Sequence, residues 1–422
     1  VSGHRPVRTA PLQLTVGVFL TLGLIQAIWP LTMDLYLPAF PAIVAQLDTS
    51  AAAVQATLTA AFAGMAVGQL IAGPWSDRIG RLRPLLVALA LYTIASVVCA
   101  LAPSAAVLVG ARAVQGLGAA SAAVITVAVV RDASEGSQMV RALARLQLVN
   151  GSFVVLAPSM GAYLLHVMPW RGLFWLLGGV GVLLTVLTVT VLGRAGAASA
   201  QEGAAEAPRA RLYGPLLRDR RYVLLTIGGG LMFAAMMSYM ASSAFLFLDH
   251  YGLTESTYAL IFGGHGLLMI AGAQVSARLA TRARPMAVIV SGASVLLAAA
   301  VSAAVLELVL PDSLIAFVAP LYVFTAAFGA IGPALQAVAL QPHGERAGSA
   351  ASLQGASKML SGAAAAPVVG ALGVATPGLV GGAMAIAATL ALALYIAGAR
   401  VRVHADPRDD ERVPVHTEGR QR

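Results

Sequence analysis

Twelve apolar runs of roughly twenty residues or more recur along this chain, and nothing else in it limits the fold so tightly. They occupy about 12–38, 52–73, 84–103, 105–130, 146–167, 172–193, 222–247, 255–276, 285–308, 314–339, 348–371 and 376–399. A run of this length crosses a bilayer as a helix, because a helix satisfies every backbone N–H and C=O within itself. Composition agrees. The 422 residues are 59% hydrophobic and 11% charged, against about 25% charged in an average soluble domain. A soluble enzyme, a coiled coil and a disordered chain are excluded. The expected fold class is an all-α membrane protein with twelve transmembrane helices.

The longest polar stretch between runs, 194–221, divides the chain. Residues 1–193 and 222–399 are expected as two six-helix halves, with 194–221 a cytoplasmic linker and 400–422 a cytoplasmic tail. A faint repeat supports two halves. Gly73-Pro-Trp-Ser-Asp77 ends the second run and Gly272-Ala-Gln-Val-Ser276 ends the eighth, and clustered arginines follow each. Parallel repeats of this kind build many membrane carriers.

Net charge is +9, and Lys358 is the only lysine among 27 basic residues. In a soluble chain that balance suggests nucleic acid. Here 24 of the basic residues fall on one side of the expected bundle, and Arg171 falls in a loop on the other. The positive-inside rule puts both termini in the cytoplasm and removes the need for a nucleic-acid partner. A cleavable leader is not expected, since the first apolar run is long and lacks a cleavage-like flank. One cysteine, Cys99, excludes a disulfide framework.

Ionisable residues inside spans are costly, and Asp34, Arg112 and Lys358 therefore stand out. Asp34 shares a stripe with Gln26 and Pro30, four residues apart. A carboxyl there holds or releases a proton according to its burial and neighbouring charge. Arg112 is expected in the same outer half of the membrane, close enough to approach Asp34. The plainer alternatives are an interfacial Asp34, a structural Arg112 and a Lys358 that reaches along its stem toward water or serves as a counter-ion. His265 reads as a hydrogen-bonded packing residue. The histidines are scattered without metal-ligand spacing, so no metal and no cofactor are expected, and an integral-membrane enzyme is disfavoured.

The loop Gly73-Pro-Trp-Ser-Asp77-Arg78-Ile-Gly80-Arg81 is the most specific local signal. Gly73 is expected to allow close helix packing and Gly80 a tight turn. Asp77 could accept from N–H donors at a helix start. Arg78 and Arg81 could pair with Asp132, which makes the loop a cytoplasmic latch.

Gly-x-x-x-Asp-Arg-x-Gly-Arg resembles the signature loop of the major facilitator superfamily. Arg112-x-x-Gln115-Gly116 resembles its fourth-helix motif, implicated in proton transfer. Leu156-Ala157-Pro158-Ser-Met-Gly161 resembles its antiporter motif, with Pro158 and Gly161 the matching positions. Met33-Asp34-Leu-Tyr36-Leu-Pro38-Ala-Phe-Pro41, Trp170-Arg171-Gly-Leu-Phe174-Trp175 and Ala347-Gly348-Ser-Ala-Ala-Ser352 resemble the bicyclomycin/chloramphenicol-resistance (Bcr/CflA-type) drug:proton antiporters. Three positions depart from that pattern: Ala244, Ser276 and Gln26 stand where relatives carry proline, aspartate and a second acid.

The resemblance implies a monomeric exporter in the bacterial cytoplasmic (inner) membrane that works by alternating access. It would couple drug to protons at Asp34 and Arg112, with the proton gradient as its energy source. Substrates would be small and mostly neutral, such as phenicols, with candidate contacts at Gln26, Trp29, Tyr36, Phe233, Met236, Met237, Tyr239 and Lys358. The lipid bilayer, protons and a small-molecule drug are the expected partners. A proton-coupled carrier of a metabolite such as an amino acid or polyamine keeps the same motifs. A sensor would need a larger soluble domain than 400–422 offers.

Overall fold

The computed structural model describes residues 15–134, 136–193, 209–279, 284–371 and 376–401, and within them it is helical throughout. The first half comprises α1 (Val16–Asp34), α2 (Phe40–Gln46), α3 (Ala51–Ile79), α4 (Leu82–Leu101), α5 (Ala105–Asp132), α6 (Gly136–Leu165) and α7 (Trp170–Leu187). After α8 (Arg209–Arg218) the second half follows as α9 (Arg220–Ala244), α10 (Glu255–Leu279), α11 (Pro285–Val309), α12 (Leu314–Leu340), α13 (Ala347–Ala371) and α14 (Pro377–Arg400). Short polar side chains start many of these helices. Thr15, Ser50, Ser104, Ser313 and Thr376 each accept from a backbone N–H three residues on, which satisfies a donor the helix cannot.

Among the described residues, ten spans are long and apolar enough to cross a membrane, and eleven if one bent pair counts as a span. The bent pair is Leu148–Val154 and Leu156–Leu165 in α6, at 40°. Pro158 lies one turn beyond the break and cannot donate to the carbonyl of Val154, which accounts for the bend. α13 is not among the ten or eleven. It carries Ser349, Ser352, Gln354, Ser357, Lys358 and Ser361, so its apolar character is diluted by a polar stripe.

The first span differs from expectation. The apolar run was read to end near residue 38, but Val16–Gln46 forms a single span of 31 residues. Pro38 and Pro41 interrupt the regular α ladder with a short 3-10 turn, Leu37–Ala39, and α2 then carries on. Asp34 therefore lies well inside the span rather than near its end. Within the segment expected as a linker, Arg209–Arg218 is helical. The remainder of it, 194–208, lies outside the described residues, as do 402–422 of the expected tail.

Glycines set the closest helix contacts, and they do so in parallel in the two halves. A Cβ on Gly64 of α3 would sit 1.9 Å from the Ala113 carbonyl oxygen of α5, and one on Gly116 of α5 would sit 2.1 Å from that of Ala61. In the second half, Gly272 of α10 faces the Ala326 carbonyl at 1.9 Å and Gly329 of α12 faces that of Met269 at 2.1 Å. Small residues let membrane helices approach backbone to backbone. Gly73 does not take part: a Cβ there would meet Val124 at an ordinary 4.0 Å.

The two halves meet mainly through α3 against α13 and α6 against α10.

Candidate functional site

Asp34, Arg112 and Tyr36 come together at the core of the first half. Arg112 is completely buried. Its Nη1 donates to Gln115 Oε1 at 2.6 Å, and its guanidinium lies over the Tyr36 ring, 4.2 Å from the centroid, with Phe174 at 5.8 Å. Gln115 Nε2 donates to Ser96 Oγ at 2.7 Å, and the Ser96 hydroxyl donates to the Tyr92 carbonyl at 2.8 Å. The Tyr92 hydroxyl lies 3.2 Å from that of Thr32 on α1. One polar chain thus ties α5 to α4 and α1 through the middle of the half.

Arg112 has donors to spare. Its Nε and Nη2 have no hydrogen-bond acceptor. Leaving a buried guanidinium this poorly satisfied costs several kcal/mol, and the aromatic faces return only about 1–2 kcal/mol of it. Asp34 is 4% exposed and within electrostatic reach of both Arg112 and Tyr258 of α10. It makes no ion pair with Arg112 among the described residues. The expected approach is therefore one of proximity without contact. Tyr36 explains this, because its ring occupies the face of the guanidinium.

The other candidate contacts divide. Tyr36 is fully buried and its hydroxyl is 2.9 Å from that of Thr57, so it packs as the partner of Arg112 rather than lining open space. Gln26 and Trp29 are half-buried, and Gln26 Oε1 has no partner. Phe233, Met236 and Met237 lie along α9, each nearly buried. Phe233 meets Phe62 of α3 edge-on at 5.8 Å, which brings it to the interface of the halves.

Tyr239 belongs to a separate network. Its hydroxyl is 2.9 Å from His265 Nε2, and His265 Nδ1 is 2.8 Å from Thr325 Oγ1. The Thr325 hydroxyl donates to the Leu321 carbonyl. His265 therefore donates from Nδ1 and accepts the Tyr239 proton at Nε2. That is a satisfied neutral imidazole joining α9, α10 and α12, as expected of a packing histidine. Lys358 lies apart from Asp34 and Arg112, on α13, with its stem against Gly229 of α9.

At the arginine-rich end, Arg81 gathers both acids of the expected latch. Its Nε donates to Asp132 Oδ2 at 2.7 Å, its Nη1 to Ser76 Oγ at 2.8 Å and to Asp77. The start of α4 is thus fastened to the ends of α3 and α5. Partial burial alone would lower the affinity of Arg81 for its proton. Hydrogen bonds to Asp132 and then Asp77 outweigh this and hold it above its ordinary range. Asp77 is engaged by this side chain rather than by N–H groups at a helix start. Gly80, at φ 85°, makes the turn as expected. Exposed ion pairs contribute little singly, but a three-residue knot is worth about 1 kcal/mol. Arg81→Ala is therefore expected to slow transport about fivefold while thermal unfolding of the purified protein shifts little. Unchanged transport would remove the latch role.

At the opposite end the halves are closed over the site. Gln55 Nε2 donates to the Ala241 carbonyl at 3.4 Å and the Ser159 hydroxyl donates to that of Ala259 at 3.0 Å. Phe40 and Phe245 pack at 6.0 Å, and His166 lies 3.5 Å from Glu255. Gly161, in the motif that holds Pro158, presses on the first span, where a Cβ would sit 1.8 Å from the Leu35 carbonyl oxygen. Ser96, Tyr92 and Thr32 are functional neighbours that the sequence-based expectations do not include. Their signal was polar residues at helical spacing inside apolar runs, such as Tyr92 and Ser96 four apart.

Comparison with known proteins fits this geometry. The family model described as Major Facilitator Superfamily matches residues 22–367. The chain is 30% identical to the uncharacterized MFS-type transporter YdgK of Bacillus subtilis (strain 168), over 83% of this chain and 87% of that protein. It is 30% identical to the multidrug resistance protein MdtL of Escherichia coli O6:K15:H31 (strain 536 / UPEC) over 56% of this chain, and the match spans 59% of that relative. The crystal structure of a D-xylose-proton symporter superposes with a TM-score of 0.66 at 16% identity, covering 89% of this chain and 96% of the symporter. At that identity the likeness establishes the fold alone. The superfamily consists of transporters rather than enzymes, and this chain, a multi-pass membrane protein with bacterial relatives, belongs to the Major Facilitator Superfamily.

Proposed function

We propose that the protein is a proton-coupled multidrug exporter of the Bcr/CflA type, residing in a bacterial inner membrane with both termini in the cytoplasm. The observation that carries this reading is a buried acid beside a buried, under-satisfied guanidinium at the core of one half. Unpaired charge is too costly to keep for packing alone. Asp34 takes a proton when the site faces outward, and this changes its attraction to Arg112. Arg112 holds Nε and Nη2 ready for an acceptor. The two arrangements favour opposite openings of the halves, so drug and proton exchange by shifting one equilibrium.

The drug occupies the interface of the halves, where Phe233, Met236 and Met237 offer an apolar and adaptable wall. The mostly neutral character of the substrates follows from a single buried acid set against Arg112 and Lys358, which leaves no second carboxylate for a multiply charged cation. A multidrug relative over about half the chain supports export. A metabolite carrier remains the second reading, because the same coupling pair serves any solute.

The test is [14C]chloramphenicol uptake by everted vesicles from an overexpressing strain. Accumulation is expected on energising with a proton gradient and release on adding a protonophore. Chloramphenicol that enters equally with and without the gradient would refute phenicol export.

A further inference from the structure

We propose that the interface of the halves contains an anion subsite built from Lys358 and Gln354 of α13, which receives a carboxylate carried by the substrate. The proposal rests on the export reading for its context and adds a substrate class to it. Lys358 has no hydrogen bond or ion pair with any described residue. It is half-buried within the bundle.

Gln354 supplies an independent observation. It is 3% exposed and its Nε2 has no acceptor. Residues four apart stand one above the other on a helix face, so Gln354 and Lys358 offer two unused donors side by side. Both groups lack an acceptor, and a buried amide without one is costly.

The neighbouring walls define the site. Tyr222 of α9 donates to the Ala350 carbonyl of α13, and Ser357 donates to that of Thr226. This register sets Thr226 beside Ser357, three residues from Gln354, and the Thr226 hydroxyl has no partner within hydrogen-bond geometry. Gly229 removes a side chain from α9 beside Lys358, whose Cε would lie 3.9 Å from a Cβ there. The Gln69 carboxamide of α3 presses on Gly355 from the other half, so the subsite lies at the boundary that alternating access opens and closes.

One ammonium and one carboxamide N–H match the two oxygens of a carboxylate, and the single positive charge matches a monoanion. A phosphate dianion would require more cationic charge than Lys358 provides. The subsite thus extends the substrates from neutral molecules to amphiphilic acids.

Binding of nalidixic acid and of its ethyl ester to the purified full-length protein in detergent tests this, read by intrinsic tryptophan fluorescence. The wild type is expected to prefer the acid about tenfold, as one charge-assisted contact gives. Lys358→Met should bring the acid-to-ester ratio to about 1, and Lys358→Arg should keep most of the preference. Gln354→Leu should reduce the ratio about threefold, and it serves if Lys358→Met fails to fold. No preference in the wild type, or a preference retained by Lys358→Met, overturns the subsite. An acid preference in a protein that does not export chloramphenicol would overturn the phenicol reading and leave the subsite standing.

Discussion

Asp34→Asn is expected to abolish uphill efflux. In energised everted vesicles the mutant should bring drug only to equilibrium, an accumulation ratio of about 1, because a carrier without a coupled ligand cannot displace its own equilibrium. Asparagine keeps the shape and the hydrogen-bonding reach of the side chain but carries no exchangeable charge. Folding should survive: among the described residues Asp34 makes no ion pair that the substitution would break. Drug binding to the purified mutant should persist, since a permanently neutral side chain imitates one protonation state. A mutant that still accumulates drug against its gradient would show that the proton travels through another group. Drug equilibration that continues in the mutant separates loss of coupling from loss of the carrier.

Arg112→Met is expected to separate function from stability. Arg112 is the largest fully buried side chain among the described residues and is poorly satisfied. Replacing a buried charge by an apolar side chain of similar volume is often neutral or stabilising. Against this, Gln115 loses its 2.6 Å donor, which costs about 1–3 kcal/mol. Purified Arg112→Met should therefore unfold within a few degrees of the wild type. Proton-driven efflux should nevertheless fall at least tenfold, because Asp34 loses the charge that distinguishes its two states. Arg112→Lys should rescue only part of it, since a compact ammonium cannot both reach Gln115 and lie flat on Tyr36. A mutant that transports normally would make Arg112 a packing residue. One that fails to fold would show that its contacts with Gln115 and Tyr36 hold the half together.

Much of this arrangement was legible in the chain. Long apolar runs announce their helices, because hydrocarbon admits no unsatisfied backbone. Asp34 and Arg112 announce themselves as charges in those runs, and the Asp77–Arg81 loop does so through a spacing of four that pairs one acid with one guanidinium, Asp132 joining from the end of α5. Other features stayed hidden for physical reasons. Pro38 and Pro41 read as the end of the first span, yet a short 3-10 turn carries the chain onward. Gly73 read as a packing glycine, whereas the interlock belongs to Gly64 and Gly116, and only the crossing of α3 and α5 decides which glycine meets a backbone. The sequence offers Tyr239 as a pocket aromatic without showing that its hydroxyl meets His265.

The sequence by itself determined that the chain lives in a bilayer, roughly where its helices run, which side holds its positive charge and which buried groups can carry chemistry. These follow from local length, polarity and composition, and no neighbour is needed to read them. Tertiary structure alone decided who touches whom. Asp34 and Arg112 stand near each other without pairing because Tyr36, two residues along the same span, covers the guanidinium. Lys358 and Gln354 keep unused donors because no described residue of the packed helices offers either of them an acceptor. Contacts of this kind depend on the register and crossing of helices distant in sequence, and polarity along one helix carries no record of them.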